Sequence, residues 1–307
     1  IQRGHMRVHA RNVAVAAGAV QHEVDRVATG IADQGDVSIG AARRMLKNMR
    51  LERETDDDSA DIRARFKVLG QTYMPGIMEL VEEVTQDATR DGSTLTQMCR
   101  YHMQTGGKRL RALLPLLVAE SLGVDPARLL PFGAACEMLH NATLVHDDLQ
   151  DGDRYRRGEE TVWSRFGVPQ AINLGDAMFY YTLLLVHRVD APLARREAAV
   201  RRVLRETLRV IDGQEREFQL KALPRPSLVD YFSMVEGKTS GLFALPMAGG
   251  ASLCAPPVEI VEGLQEAARH MGVLFQIQDD LLDLYGDKGR DGSGGDIREG
   301  KRSILAV

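Results

Sequence analysis

The sequence predicts an all-α protein, a single helical domain, and three observations carry that prediction. Apolar residues recur at i, i+3, i+4 and i+7 through nearly the whole chain, whereas alternating strand patterns are almost absent. The breaks at "GVDP", "ALPRPS" and "CAPPVE" place proline where it opens helices rather than interrupts them. No internal repeat of solenoid length is evident, so the helices must pack as one bundle.

Taken in order, residues 1–58 form a separate segment. Acids and bases are balanced there, alanine is plentiful, and it closes on the acidic run "ERETDDDSAD". Short accessory helices and a solvated linker are expected, without chemistry of their own. Residues 59–307 carry the long helical patterns. "DPARLLPFGAACEMLHNATLVHDD" predicts an apolar helix opened by proline. "SLVDYFSMVEGKTSGLFALPMAGGA" predicts another, with Ser227 as N-cap and Asp230 three residues on. "DIREGKRSILAV" runs out at Val307 as another helix opens, so further C-terminal helices are expected.

Composition narrows the function classes. A hydrophobic fraction of 44% is ordinary for a globular protein, and a net charge of −4 gives no footprint for nucleic acid. Cys99, Cys136 and Cys254 are far apart and form no CxxC pair, which argues against a zinc site or disulfide frame and for a reducing compartment. The longest greasy stretches, such as "FYYTLLLV", are too short to span a bilayer. A cytoplasmic protein is expected.

The chemistry concentrates in "LVHDDLQDGDRYRRG", residues 144–158. Asp147 and Asp151 are four apart, hence on one helical face, and repel each other unless a cation bridges them. Mg²⁺ suits such a pair, because it takes one or two carboxylates and completes its shell with waters and substrate phosphates. The alternative is a helix end running into water. A second triplet, Asp279, Asp280 and Asp283 in "FQIQDDLLDLYGD", repeats the pattern on another helix. Two such helices facing each other across a cavity would hold several Mg²⁺ ions around one diphosphate. The following "DKGRDGSGGD" fails as a calcium loop and reads as a flexible glycine-rich loop, mobile until ligand folds it over the site. Cations follow the same logic. "TGGKRLRA" sets Lys108, Arg109 and Arg111 at a helix mouth, where side chains and backbone N–H groups suit phosphate, although the spacing is not that of a Walker loop. Arg156 and Arg157 add bidentate oxyanion recognition. Each basic run could instead be a surface turn.

Together these motifs resemble the trans-prenyltransferases, the isoprenyl diphosphate (polyprenyl) synthases, from about residue 62 onward. "GGKRLR", "LVHDDLQDGDRYRRG", "NLGDA", "DGQEREF", "GKTSGLF", "FQIQDDLLD" and "DIREGK" occur in the family's order. Ala112 stands where the family usually has proline, and Trp163 where it often has histidine. The resemblance implies the isoprenoid-synthase bundle around a deep central cavity, a homodimer, and Mg²⁺, three ions per active site. It implies condensation of isopentenyl diphosphate with an allylic diphosphate by ionisation, condensation and elimination. By the same resemblance, Asp147, Asp148, Asp151, Asp279, Asp280 and Asp283 hold the metal on the allylic diphosphate. Lys108, Arg111, His140 and Arg157 form the isopentenyl diphosphate pocket. Arg156, Lys238, Gln276 and Lys301 touch the allylic diphosphate, and Lys238, Thr239 and Gln276 steady the cationic transition state. His140 also lies seven residues before Asp147, on the same helical face.

Rival readings are weaker. A class I terpene cyclase or a head-to-head synthase would not need "GGKRLR", and a non-catalytic partner subunit would be expected to lose one aspartate motif. For product length, Ala142 and Thr143 lie five and four residues before Asp147, about 7.5 and 6 Å along the helix. The family's growing tail runs past these positions, and both are small here, so a product of C20 or longer is expected. The alternatives are a farnesyl-length product and a tunnel closed by Met138 or an aromatic of "DAMFYY".

Overall fold

The computed structural model describes residues 56–285, 300–304 and 307. The N-terminal segment and the glycine-rich loop "DKGRDGSGGD" lie outside the described residues. Helix α1 (Asp56–Asp87) begins inside the acidic run read as linker, so the last part of that run is helical. α2 (Thr94–Gln104) starts where the Ser93 hydroxyl accepts from Leu95 N, at 3.2 Å. α3 (Leu110–Ser121) follows. A 3₁₀ turn over Pro126–Leu129, capped by Asp125, then leads into α4 (Leu130–Asp151).

α4 is the axis of the bundle. Phe132, Ala134, Ala135, Met138, Leu139, Ala142 and Val145 are almost wholly buried, against Leu174, Met178 and Leu185 of α6 (Val168–His187) and Ile77 and Val81 of α1. Burying each large side chain contributes roughly 1.5–3 kcal/mol. A helix apolar on so much of its girth belongs inside, which fixes where its polar C-terminal turns, with the aspartates, can emerge. Gly152, at φ 73°, ends the helix in the left-handed conformation. A hairpin of two-residue strands, β1 (Tyr155–Arg156) and β2 (Glu159–Glu160), comes next, and α5 (Val162–Phe166) after it. Its turn places Arg157 and Gly158 at φ 55° and 84°, both left-handed, as the tightest hairpins require. The two arginines thus sit on a turned-back hairpin, not on an extension of α4.

α7 (Leu193–Ala222) leads to α8 (Leu228–Val235), which opens with the expected cap. Ser227 Oγ accepts from Asp230 N, and Asp230 Oδ2 accepts from Ser227 N, a reciprocal capping box. The long helix read beyond it departs from regular α geometry twice. Wide π turns over Glu236–Ser240 and Leu245–Gly249 flank α9 (Gly241–Ala244), before α10 (Gly250–Cys254) and α11 (Val258–Tyr285). Pro246 accounts for the second: it lacks an N–H and its ring crowds the preceding turn, so the helix widens instead of breaking. The first coincides with a backbone crossing. A Cβ on Gly213 of α7 would lie 2.1 Å from Lys238 N, so glycine there lets the two helices touch main chain to main chain.

Candidate active site

α4, α7, the 228–254 run and α11 enclose a cavity of about 330 Å³, which residues 301–303 also line. His140, Thr143, Leu144, Asp147 and Asp151 form one face of α4. Phe275, Gln276, Asp279 and Asp280 from α11 line the same cavity, so both aspartate motifs reach one space. Arg111, Arg156, Arg157, Lys238, Thr239 and Lys301 complete its polar wall. Lys108 is exposed and off that wall. It follows the Gly106–Gly107 turn, on which the Arg157 guanidinium rests, donating to Gly106 O.

The six aspartates are not equivalent. Asp147 and Asp151 line the cavity, as their spacing predicts. Burial raises the Asp147 carboxyl above its usual range, against the opposing pull of the Lys238 ammonium. Asp151 Oδ2 accepts from Lys301 Nζ at 2.8 Å, and Lys221 Nζ lies 3.6 Å from Oδ1. Burial alone would raise this carboxyl, but the Lys301 charge and hydrogen bond leave it lowered. Asp148 is buried and held by Arg156 through Nε at 2.6 Å and Nη2 at 2.5 Å. Burial lifts its carboxyl to about 6 despite the guanidinium. Asp148 thus anchors Arg156 and does not line the cavity. Asp280 accepts from Tyr231 OH, Ile304 N and Gln276 Nε2, at 2.8, 2.8 and 2.9 Å. It pins Gln276 and the returning 300–304 segment. Asp283 is buried and off the cavity wall.

The cationic side divides in two. Lys238 Nζ donates to Glu217 Oε2 at 2.6 Å, and the charges of Asp147 and Glu217 outweigh burial to raise its pKa. Thr239 Oγ1 donates to Gln276 Oε1 at 3.0 Å, which orients that amide. On the other side, Arg111 stacks near Phe243 and Phe275, 4.8 and 5.2 Å from the ring centroids, and burial lowers its pKa to about 10. Burial, with Arg111, Arg156 and Arg157 nearby, lowers His140 far below the usual imidazole range, so it is neutral at pH 7. The helix-mouth amides read as phosphate donors are partly committed, because Ala112 N donates to Glu137 Oε2 at 3.2 Å.

Sequence reasoning left several residues without roles. Glu217 and Gln214 lie on the wall, and Gln214 Nε2 donates to Gln150 Oε1 at 3.0 Å. Both sit in "DGQEREF", a stretch quoted above for its place in the motif order alone. Tyr231 lay within a helix read for its cap. Thr143 faces the cavity, whereas Ala142 is fully buried in the core and off that wall.

The donor set suits a divalent ion completed by a ligand. Among the described residues, no three acidic, histidine or cysteine side chains converge to chelate a metal by themselves. On the cavity wall, buried Asp151 Oδ1 nevertheless lacks a hydrogen-bond donor. Mg²⁺ takes one or two carboxylates and borrows phosphate oxygens, which fits paired rather than clustered carboxylates.

The geometry agrees with what the chain is similar to. The polyprenyl synthetase family model matches residues 92–307. Geranylgeranyl pyrophosphate synthase of Geoglobus acetivorans is 34% identical over 233 residues, 75% of this chain and 72% of that protein. The crystal structure of geranylgeranyl pyrophosphate synthetase from Pyrococcus horikoshii Ot3 superimposes with a TM-score of 0.73 at 31% identity, covering 81% of this chain and 75% of that one. A polyprenyl synthase from Caulobacter crescentus CB15, complexed with calcium and isoprenyl diphosphate, gives 0.71 at 28% identity, covering 78% and 72%. With two aspartate motifs meeting in one cavity and a family match over more than half its length, the chain belongs to the polyprenyl synthetase family of trans-prenyltransferases.

Proposed function

We propose that this protein condenses isopentenyl diphosphate with an allylic diphosphate into a trans-prenyl diphosphate of C20 or longer. The observation that carries this is the division of one cavity into a carboxylate end and a cationic end without carboxylates on its wall. At the first, Asp147, Asp151 and Asp279 line the wall with Lys238 and Lys301. At the second, Arg111, His140 and Arg157 form a pocket suited to a diphosphate that arrives without metal. Asp147, Asp151 and Asp279 would hold Mg²⁺, which would offset the charge of the departing diphosphate.

The chain's own groups supply the rest. Lys238 and Lys301 draw the allylic diphosphate toward the carboxylate end, and Arg156, fixed by Asp148, supports it. Thr239 and Gln276 present oxygen dipoles where positive charge develops at the allylic carbon. Arg111 and Arg157 hold isopentenyl diphosphate so that its double bond faces that carbon. Leu144, Leu242 and Phe275 line the space between and exclude water from the cation. The exposed α6 residues Ile172, Tyr180 and Leu184, spaced for one face, support a homodimer. No described helix is long and apolar enough to cross a membrane.

The test is direct. Purified protein with Mg²⁺, isopentenyl diphosphate and dimethylallyl, geranyl or farnesyl diphosphate should release inorganic diphosphate and a longer prenyl chain. EDTA should abolish turnover, and Asp147→Ala should cut it by orders of magnitude with the helical circular-dichroism signal unchanged. Turnover that survives EDTA would sink the metal-assisted reading.

A further inference from the structure

One buried carboxylate beside the cavity takes no part in the chemistry derived above. Glu137 is 3% exposed and lies one turn before His140 on α4. It accepts from three donors: Arg109 Nη1 at 3.0 Å, Asn141 Nδ2 at 3.0 Å and Ala112 N at 3.2 Å. Arg109 is the left-handed residue that starts α3, at φ 50°, and its other nitrogen donates to Met103 O at the end of α2. A single carboxylate therefore ties the end of α2 and the first turn of α3 to α4.

The consequence falls on Arg111. It sits between Arg109 and Ala112, the two α3 residues that Glu137 grips, and its guanidinium lines the cavity beside His140. Without the Glu137 charge, Arg109, Arg111 and Arg157 would repel one another. The contact supplies an amide acceptor at a helix start, where an anion is favoured, and a counter-charge that lets the cationic pocket exist empty. We infer that Glu137 is a positioning residue for the isopentenyl diphosphate pocket: it sets where Arg111 stands relative to His140 and Arg157 without touching substrate. This rests on the reading of that pocket given above.

Glu137→Gln is nearly isosteric, but with its oxygen kept on Arg109 and Asn141 it turns an NH₂ group toward Ala112 N, so that contact must open. The expected result is a KM for isopentenyl diphosphate raised about tenfold (roughly 1.4 kcal/mol), with the allylic KM within twofold of wild type. The Ala112 amide should also lose hydrogen-exchange protection. Because breaking a buried ion pair destabilises, the double variant Arg109→Met/Glu137→Leu provides the control. An apolar replacement of the whole pair restores the melting temperature, but it supplies no side-chain acceptor for Ala112 N, which keeps only its 3.2 Å bond to Arg109 O, so the KM should stay raised. Equal changes in both KM values, no change in either, or a KM restored in the double variant would overturn the inference. A wild type that does not turn over isopentenyl diphosphate sinks the synthase reading instead. The role of Glu137 is then decided by Ala112 exchange alone, where unchanged protection in Glu137→Gln overturns it.

Discussion

Gly213→Ala probes the crossing that holds Lys238 in place. The added Cβ would sit 2.1 Å from Lys238 N and 2.5 Å from Gly237 C, both backbone atoms that cannot swing aside. Reaching the 3.4 Å of an ordinary contact requires α7 and the π turn to separate by about 1.3 Å. Overpacking of this kind costs roughly 1–3 kcal/mol, and the helix propensity gained with alanine offsets about 1 kcal/mol of it. The net loss should be about 0–2 kcal/mol in urea unfolding, visible as a lower midpoint at unchanged slope. The larger effect should be on rate. Lys238 and Thr239 ride on the displaced segment, and misplacing catalytic groups by 1 Å costs on the order of 10²-fold. Gly263→Ala is the matched control, since a Cβ there meets nothing within 4 Å. It should stabilise by about 0.5–1 kcal/mol and leave turnover intact. A Gly213→Ala protein with wild-type midpoint and turnover within threefold of wild type would refute the reasoning.

Two further outcomes are expected. His102 is buried, and its pKa is lowered to about 3, chiefly by burial with Arg156 and Arg109 adding to it. Its folded pKa lies below its unfolded value near 6.5, so its contribution to stability is present above that value and is lost as pH falls toward 3. Between pH 7.5 and 5.5 the loss should be about 1.4 kcal/mol, with an addition of the same sign from His140, whose pKa is also lowered by burial. His102→Gln flattening none of the slope of urea-unfolding free energy against pH would count against this. For product length, Thr143→Phe should shorten the chain, because Thr143 lines the cavity about 6 Å along α4 from Asp147. Ala142→Phe should mainly destabilise, by about 1–3 kcal/mol, because its site is already filled core. Product sizing that finds Ala142→Phe shorter and Thr143→Phe unchanged would reverse the assignment.

Local signals were the readable ones. Helical periodicity marked the bundle, and Ser227 with Asp230 marked a cap whose chemistry is complete within four residues. The i, i+4 spacing put Asp147 and Asp151 on one face, and they share it. The roles of Asp148 and Asp280 were not readable, because their partners come from a hairpin, a neighbouring helix and a non-helical segment 24 residues away. Nor did spacing separate Ala142 from Thr143: adjacent helical residues point about 100° apart, and which faces the cavity depends on what α4 packs against. The π turns were hidden for a related reason. A widened turn is set by a proline or a crossing neighbour and leaves little mark on apolar periodicity.

Without ligand, several charges at and behind the carboxylate end already have partners: Asp151 has Lys301 and Lys221, Asp148 has Arg156, and Glu217 has Lys238. Such a site behaves as an ion exchanger. A lone anion must pull a lysine from its carboxylate and leave that carboxylate buried and bare, and a lone cation meets the mirror-image penalty. A metal–diphosphate pair brings both signs at once, so each internal partner is traded for an external one. Free phosphate, an anion alone, therefore competes poorly for this end of the cavity despite its lysines.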